Sequence, residues 1–421
     1  MSISSRVHST PCLSALRRWS TALLVFVVAP SPGLADDTIR IGMSAAFKGP
    51  SRGLGIELYR GSMAYFNEVN SKGGVNGRRI ELLYEDDGYN PTPAINNTVK
   101  FMDDKVFLLY GYVGTPTVTR VLPLLKSNEN AAFNLFFPFT GALPHRRPPY
   151  DRYVFNLRAS YADETKCLVD NFLSIGRSRI AVFYQIDAYG RSGWNGVRMA
   201  LEKHNKSMVG EATYKRGSQF EVSQSEAVGI LRASDADAVI SIGSYAACAA
   251  FVRDARNSGW DVPIANVSFV GSENLLNLLN KHGTQESKDY TTNLINTQVV
   301  PSYNDISLPA VREYRGLMEK YASLLPDKIA ATDYQPLPQS FVSFEGYLDA
   351  RLLVEVFKKM GSKLDRSLLK ATVESMHDID LGLGVPVSFG PGNHQGLREV
   401  YPTTVKDGAF VPLLDWKRWS K

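Results

Sequence analysis

The stretch from Tyr110 to Pro123, YGYVGTPTVTRVLP, follows the apolar run VFLLY and sets Gly114, Thr115 and Thr117 where a strand pattern gives way to a helical one. VFLLYGYV reads as a strand, Gly114 lets another group approach the backbone closely, and a helix is predicted to begin near Thr115 to Thr117 with Pro116 in its first turn. Unpaired amides and a threonine hydroxyl at such a helix start suit an anion, and a carboxylate is the natural small candidate. Thr115 would equally serve as a simple helix cap, and the local residues favour neither reading. Catalytic patterns are missing. His8, His145, His204, His282, His377 and His394 show no metal-ligand spacing such as HExxH. There is no GxSxG elbow and no GxxxxGK[ST] loop, and GLGIEL at Gly53 lacks the third glycine of a dinucleotide fingerprint. The expectation is therefore a binding protein rather than an enzyme, without cofactor or metal.

Positioning these residues requires a large α/β framework. A chain of 421 residues with 44% apolar and 11% aromatic content suits two globular domains. Strand-length apolar runs alternate with helical patterns from TIRIGMSAAF through RRIELLYEDD and VFLLYGYV to AAFNLFFP, with Met63, Phe66 and Val69 giving the first helix its apolar face. After the Pro- and Arg-rich link GALPHRRPPYDR the alternation begins again, in RIAVFYQID, ADAVISIG and PIANVSFVG. Two α/β lobes with doubly wound parallel sheets follow from that order. Such sheets bind ligands at the carboxyl ends of their strands, which is where Gly114 and Thr115 lie.

At the start, Arg17 and Arg18 precede TALLVFVVA, and small residues surround Ala35, the order of a secretory signal peptide cleaved after Ala35. Thr21 to Ala29 is far shorter than the ~20 residues that span a bilayer. Cleavage removes Arg6, Arg17 and Arg18 and no acid, so the formal charge falls from +5 to +2, a balance that calls for neither nucleic acid nor an anionic membrane. Cys12 would leave with the signal. Cys167 and Cys248 remain, and export permits either a disulfide or two free thiols.

The segment TIRIGMSAAFKGPSRGLGIELYRGSMAYFNEVNSKGGVNGRRIELLYEDDGYNP resembles the start of the periplasmic leucine/isoleucine/valine-binding proteins of bacterial ABC transporters. A first strand leads to a G-P loop, a glycine precedes an amphipathic helix ending in N-x-K-G-G-x-x-G, and the next strand ends in D-D. The likeness continues, in collinear order, through DAYGRSGWNGVRMAL, DAVISIG, VGSENLL, TQVVPSYNDISLPAVREY and SFEGYLDARLLVEVF.

That resemblance implies a type I periplasmic binding protein whose two lobes, joined by three crossings, close over a ligand. The expected lobes are 36–157 with 301–380 and 158–300 with 381–421, the crossings near Asn156 to Ser160, Thr297 to Ser302 and Ile379 to Pro386. It further implies that Gly114, Thr115 and Thr117, with Phe139, Thr140 and Gly141 of FPFTGA, hold a ligand carboxylate. Tyr189, Ser244 and Tyr245 would come from the second lobe, and Glu273 would face a ligand ammonium. Read alone, Glu273 is an ordinary first-turn helix glutamate. Leu54 stands where the archetype has tyrosine, Phe139 replaces a small residue, and both cysteines of its cleft disulfide are missing, at Tyr89 and Gly114. By resemblance the protein is a periplasmic, monomeric solute receptor that delivers a branched-chain or other amino acid to an inner-membrane ABC permease. The alternatives are an amide, urea or an aromatic carboxylate as ligand, or a sensory module that presents its closed form to a receptor.

Overall fold

Residues 38–322, 325 and 334–421 are described by the structure, a computed structural model. The expected cleavage at Ala35, and Cys12, lie outside them. The first half runs β1 (Thr38–Ala45), α1 (Arg52–Ser71), β2 (Arg79–Asp86), α2 (Pro91–Asp103), β3 (Leu108–Tyr110), α3 (Thr115–Ser127), β4 (Leu135–Phe136) and β5 (Val154–Phe155). These strands form one sheet in the order β2-β1-β3-β4-β5, every pair parallel, with β1 and β2 in register from Thr38 with Arg79 to Ala45 with Asp86.

The second half repeats the design. It contains α4 (Tyr161–Ser174), β6 (Ile180–Gln185), α5 (Ala188–Glu202), β7 (Gly210–Tyr214), α6 (Ser225–Ala233), β8 (Ala238–Ile242), α7 (Tyr245–Asn257), β9 (Ile264–Asn266), α8 (Ser272–Glu286) and β10 (Leu294–Gln298). These strands lie in a second sheet, ordered β7-β6-β8-β9-β10 and parallel throughout. β6 and β8 are buried along their full length, as strands covered by helices on both faces must be. The sequence then supplies α9 (Pro309–Lys320), α10 (Phe341–Met360) and α11 (Arg366–Glu374) before β11 (Tyr401–Lys406) and β12 (Ala409–Pro412) extend the second sheet with antiparallel pairs.

α10 belongs with the first sheet because it packs along α1 at very short range. A Cβ on Gly61 would stand 1.8 Å from the Ser343 carbonyl oxygen, and one on Gly346 would stand 2.2 Å from that of Leu58. Glycine at both places lets the two helix backbones touch. Between the sheets, the chain leaving β5 is paired with a later segment: Asn156 N–H donates to the His394 carbonyl, and the amides of Gly396 and Leu397 donate to Asn156 and Leu157. Ile379 and Val387 instead pair with each other, and Ala310 N–H reaches Gly382 O, so that stretch stays with α9.

Candidate ligand-binding site

The carboxyl ends of β3 and β4 bring together the residues that the sequence set apart. Gly114 precedes α3 with φ +102, and Tyr89 packs so tightly on it that its ring Cε2 lies 2.1 Å from where a Cβ would stand. Backbone angle and space both require glycine there. A tyrosine on a glycine thus occupies the corner where the sequence lacks a cysteine pair. Thr115 makes no cap hydrogen bond. Its hydroxyl meets that of Thr140 at 2.6 Å, which excludes the simple capping reading. Thr117 does not join them, because its hydroxyl donates to the carbonyls of Val113 and Gly114 at 2.7 and 2.8 Å within its own helix turn. Tyr161 stands over Gly141, and its hydroxyl, without a hydrogen-bond partner, lies beside Thr115 and Thr140.

Across the interface, the second sheet presents its own strand ends. Ser244 Oγ lies 3.0 Å from Ser51 Oγ, and Gly53 N–H donates to Tyr245 Oη at 3.1 Å. Leu54 touches Gly271, two residues before Glu273. Gln185 Nε2 donates to Tyr89 Oη at 3.3 Å, and Tyr189 donates to the Gly243 carbonyl. Phe269 joins the two sides as the centre of an aromatic cluster, with ring centroids 5.4 Å from Phe139, 5.9 Å from Tyr89 and 4.6 Å from Tyr189.

Glu273, in the first turn of α8, is buried. Burial pushes its carboxyl up to about 7, against the Phe341 amide, whose N–H reaches Oε1 at 3.3 Å. Oε2 has no donor in hydrogen-bonding geometry, although the Tyr303 side chain is close enough to favour the ionised form. A buried acceptor without a donor is costly, and a cationic or N–H-bearing guest would relieve it.

A family model described as periplasmic binding protein matches residues 38–409. The chain belongs to the periplasmic binding protein family. Leu/Ile/Val-binding protein homolog 7 of Brucella abortus is 24% identical over 412 residues, covering 93% of this chain and 95% of that one. The crystal structure of a possible leucine/isoleucine/valine-binding protein from Rhodopirellula baltica is 31% identical with a TM-score of 0.78, over 91% of this chain and 98% of that one. A branched-chain amino acid ABC transporter protein from Thermus thermophilus, with bound valine, shares the fold at 17% identity and a TM-score of 0.76, over 90% and 96% of the two chains. The fold is that of the type I periplasmic binding proteins, and the relatives bind solutes rather than catalyse reactions. Among the described residues no helix is long and apolar enough to cross a membrane.

In this periplasmic binding protein the sequence reading missed a buried polar hub behind Phe139. Arg158, at the end of the link from β5, stacks on the Phe139 ring at 4.5 Å and donates to Ser268 Oγ. It lies 3.8 Å from Glu164 and 3.5 Å from Glu345. Glu164 in turn accepts from Ser268 N–H at 2.7 Å and Thr297 Oγ1 at 2.5 Å. The hub therefore gathers α4, β10 and the loop before α8 from the second sheet, and α10 from the first. Cys167 and Cys248 are free; burial pushes their thiols up to about 11 and about 12, and Cys248 accepts from Ser241.

Proposed function

We propose that the protein is the extracytoplasmic solute-binding component of an ABC importer, a monomer that captures a small carboxylate-bearing ligand, a branched-chain or other amino acid, and delivers it to an inner-membrane permease. One observation carries this reading: residues of the two sheets meet both at the hydroxyls of Thr115, Thr140 and Tyr161, which suit a carboxylate, and at Glu273, whose buried Oε2 lacks a donor among the described residues. An α-amino acid brings the two complementary charges. The Leu/Ile/Val-binding names of its relatives support the same ligand class.

The lobes follow the expected division, 36–157 with 301–380 and 158–300 with the C-terminal strands, except that 381–393 stays with the first. The pairing of 394–397 with 156–157 supports moving the third crossing from Ile379–Pro386 to the segment just before β11. Gly114, Gly141, Phe139, Leu54, Tyr189, Ser244 and Tyr245 shape the site, and Thr117 supports its helix rather than the ligand. Contacts from both lobes give a ligand its differential affinity for the closed form, the only means by which it can shift the balance between open and closed states.

A second reading has its own support. The cluster of Tyr89, Phe139, Tyr189 and Phe269 gives an aromatic carboxylate rings to pack against, and such a ligand has no ammonium for Glu273. A thermal-shift screen of amino acids, amides, urea and aromatic carboxylates separates the two. An amino acid should raise the melting temperature, by about 2.7 kcal/mol of stability at a hundredfold excess over its dissociation constant. A shift given only by compounds without an ammonium group would overturn the amino-acid reading.

A further inference from the structure

The Pro- and Arg-rich link takes no part in the interface just described except through Thr140 and Gly141 at its edge, yet it walls a separate hollow of about 340 Å³ beside the paired crossing segments. Four arginines line that hollow, Arg146, Arg147, Arg152 and Arg398, together with Asp151, Asp163 and His394. Each carboxylate accepts hydrogen bonds at one of its oxygens. Asp163 accepts from Ser160 N–H, Ser160 Oγ and Gln395 Nε2, and Asp151 accepts from the Arg152 amide.

The cations are less well served. Arg152 pairs with Glu129 outside the hollow, and Arg398 donates to a neutral amide oxygen, that of Asn393. Arg147 is exposed and makes no ion pair among the described residues. Arg146 is the most telling. It is largely enclosed, and among the described residues its guanidinium donates only to neutral oxygens, Gln395 Oε1 at 2.8 Å and the carbonyls of Arg158 and Thr140 at 3.1 and 3.2 Å, and its Nε has no partner. Burial, and then repulsion from Arg158, push it down to about 9. Asp163 and Glu345 lie near enough to favour its charge, but no carboxylate among the described residues pairs with it directly, so an anion reaching it would add the missing contact. Planar guanidinium N–H forks match the geometry of carboxylate and phosphate oxygens.

We propose that this hollow is a second binding site, for a small multivalent oxyanion, in which Arg146 forms the floor and Arg147 and Arg398 close over the guest. Its place has a consequence. Arg146 holds Gln395, and Gln395 bridges to Asn156 where the first and last connections between the sheets run side by side. An anion seated there ties the link, the crossing from β5 and the segment before β11 into one unit. It changes affinity in the main cleft only as far as it prefers one arrangement of the lobes, and any such coupling is reciprocal.

The test is calorimetric titration of the full mature protein with inorganic phosphate and, separately, with citrate, at constant ionic strength set by sodium chloride. Wild type should show saturable binding of at least one of these anions, and which one binds identifies the class of guest. The double variant Arg147→Gln/Arg398→Gln changes two exposed side chains and should bind at least tenfold more weakly with an unchanged melting temperature in chloride. Glu273→Ala, in the separate interface, should leave anion binding unaltered. Absence of saturable heat with both anions would overturn the proposal, as would equal affinity in the double variant.

Discussion

Two buried glutamates, Glu57 on α1 and Glu273 on α8, sit close enough that each feels the other's charge, yet their surroundings differ in kind. Glu57 is saturated. Its Oε2 meets Arg60 Nη1 at 2.7 Å, and its Oε1 accepts from Tyr334 Oη at 2.9 Å and Leu337 N–H at 3.0 Å. Arg60 continues to the Leu337 carbonyl, so the cluster ties α1 to the segment before α10. Glu273 reaches the same segment from the second sheet and obtains one amide there, with Oε2 left over. Burial raises the pKa of both carboxyls. The difference teaches how to tell a carboxylate that holds the fold from one that waits for a guest: count its donors.

The largest effect expected from this contrast is on folding. Glu57→Ala leaves the buried Arg60 guanidinium without its counter-charge and should cost about 3–5 kcal/mol in chemical denaturation. Glu273→Ala in the same assay should be neutral or stabilising, because it removes a buried acceptor that lacks a donor. Equal losses in the two variants would erase the distinction.

A smaller effect should appear with pH. The Glu273 carboxyl is raised from its ordinary 4.5 to about 7 in the folded protein, so the fold binds that proton more tightly than the unfolded chain does. Its contribution to stability is fully present below pH 4.5 and is lost as pH rises through about 7, a change on the order of 3 kcal/mol. Denaturation curves of wild type and Glu273→Gln between pH 5 and pH 8 (roughly the window set by that shift) should diverge, with the variant flatter. A ligand ammonium needs the ionised form, so amino-acid affinity should move the other way and weaken as the pH falls below about 7.

The smallest effect concerns the opposite end of the site. Thr115→Val removes one hydroxyl of the 2.6 Å pair with Thr140 and should cost about 1 kcal/mol of stability, read from the denaturation midpoint. Thr117→Val removes a hydroxyl bonded only within its own helix, and should leave ligand affinity unchanged while Thr115→Val lowers it.

The doubly wound parallel sheets and the start of α3 were legible because alternating apolar runs and glycine turns are local signals, and parallel α/β units follow from them. Thr115 and Thr140 were legible as site candidates because strand ends in such sheets converge. Tyr161, Phe269 and Tyr89 were not. An aromatic residue in the first turn of a helix or after a strand reads as core, and nothing local tells that Phe269 would meet rings from the other lobe. Arg158 hid for a similar reason: a lone arginine before a helix reads as surface until Glu164 and Glu345, far apart in sequence, are seen on either side of it. Thr117 was read as a ligand contact because spacing cannot show that its hydroxyl turns back on Val113.

The central claim, that Glu273 supplies the counter-charge for an amino-acid ligand bound between the lobes, is tested most directly by calorimetric titration of wild type and Glu273→Ala with the amino acid that gives the largest thermal shift. Truncating one partner of a buried, hydrogen-bonded charge pair costs about 2–5 kcal/mol. The variant should therefore bind roughly a hundredfold more weakly, or worse. An amino acid that binds both proteins equally well would remove Glu273 from the site and contradict the account.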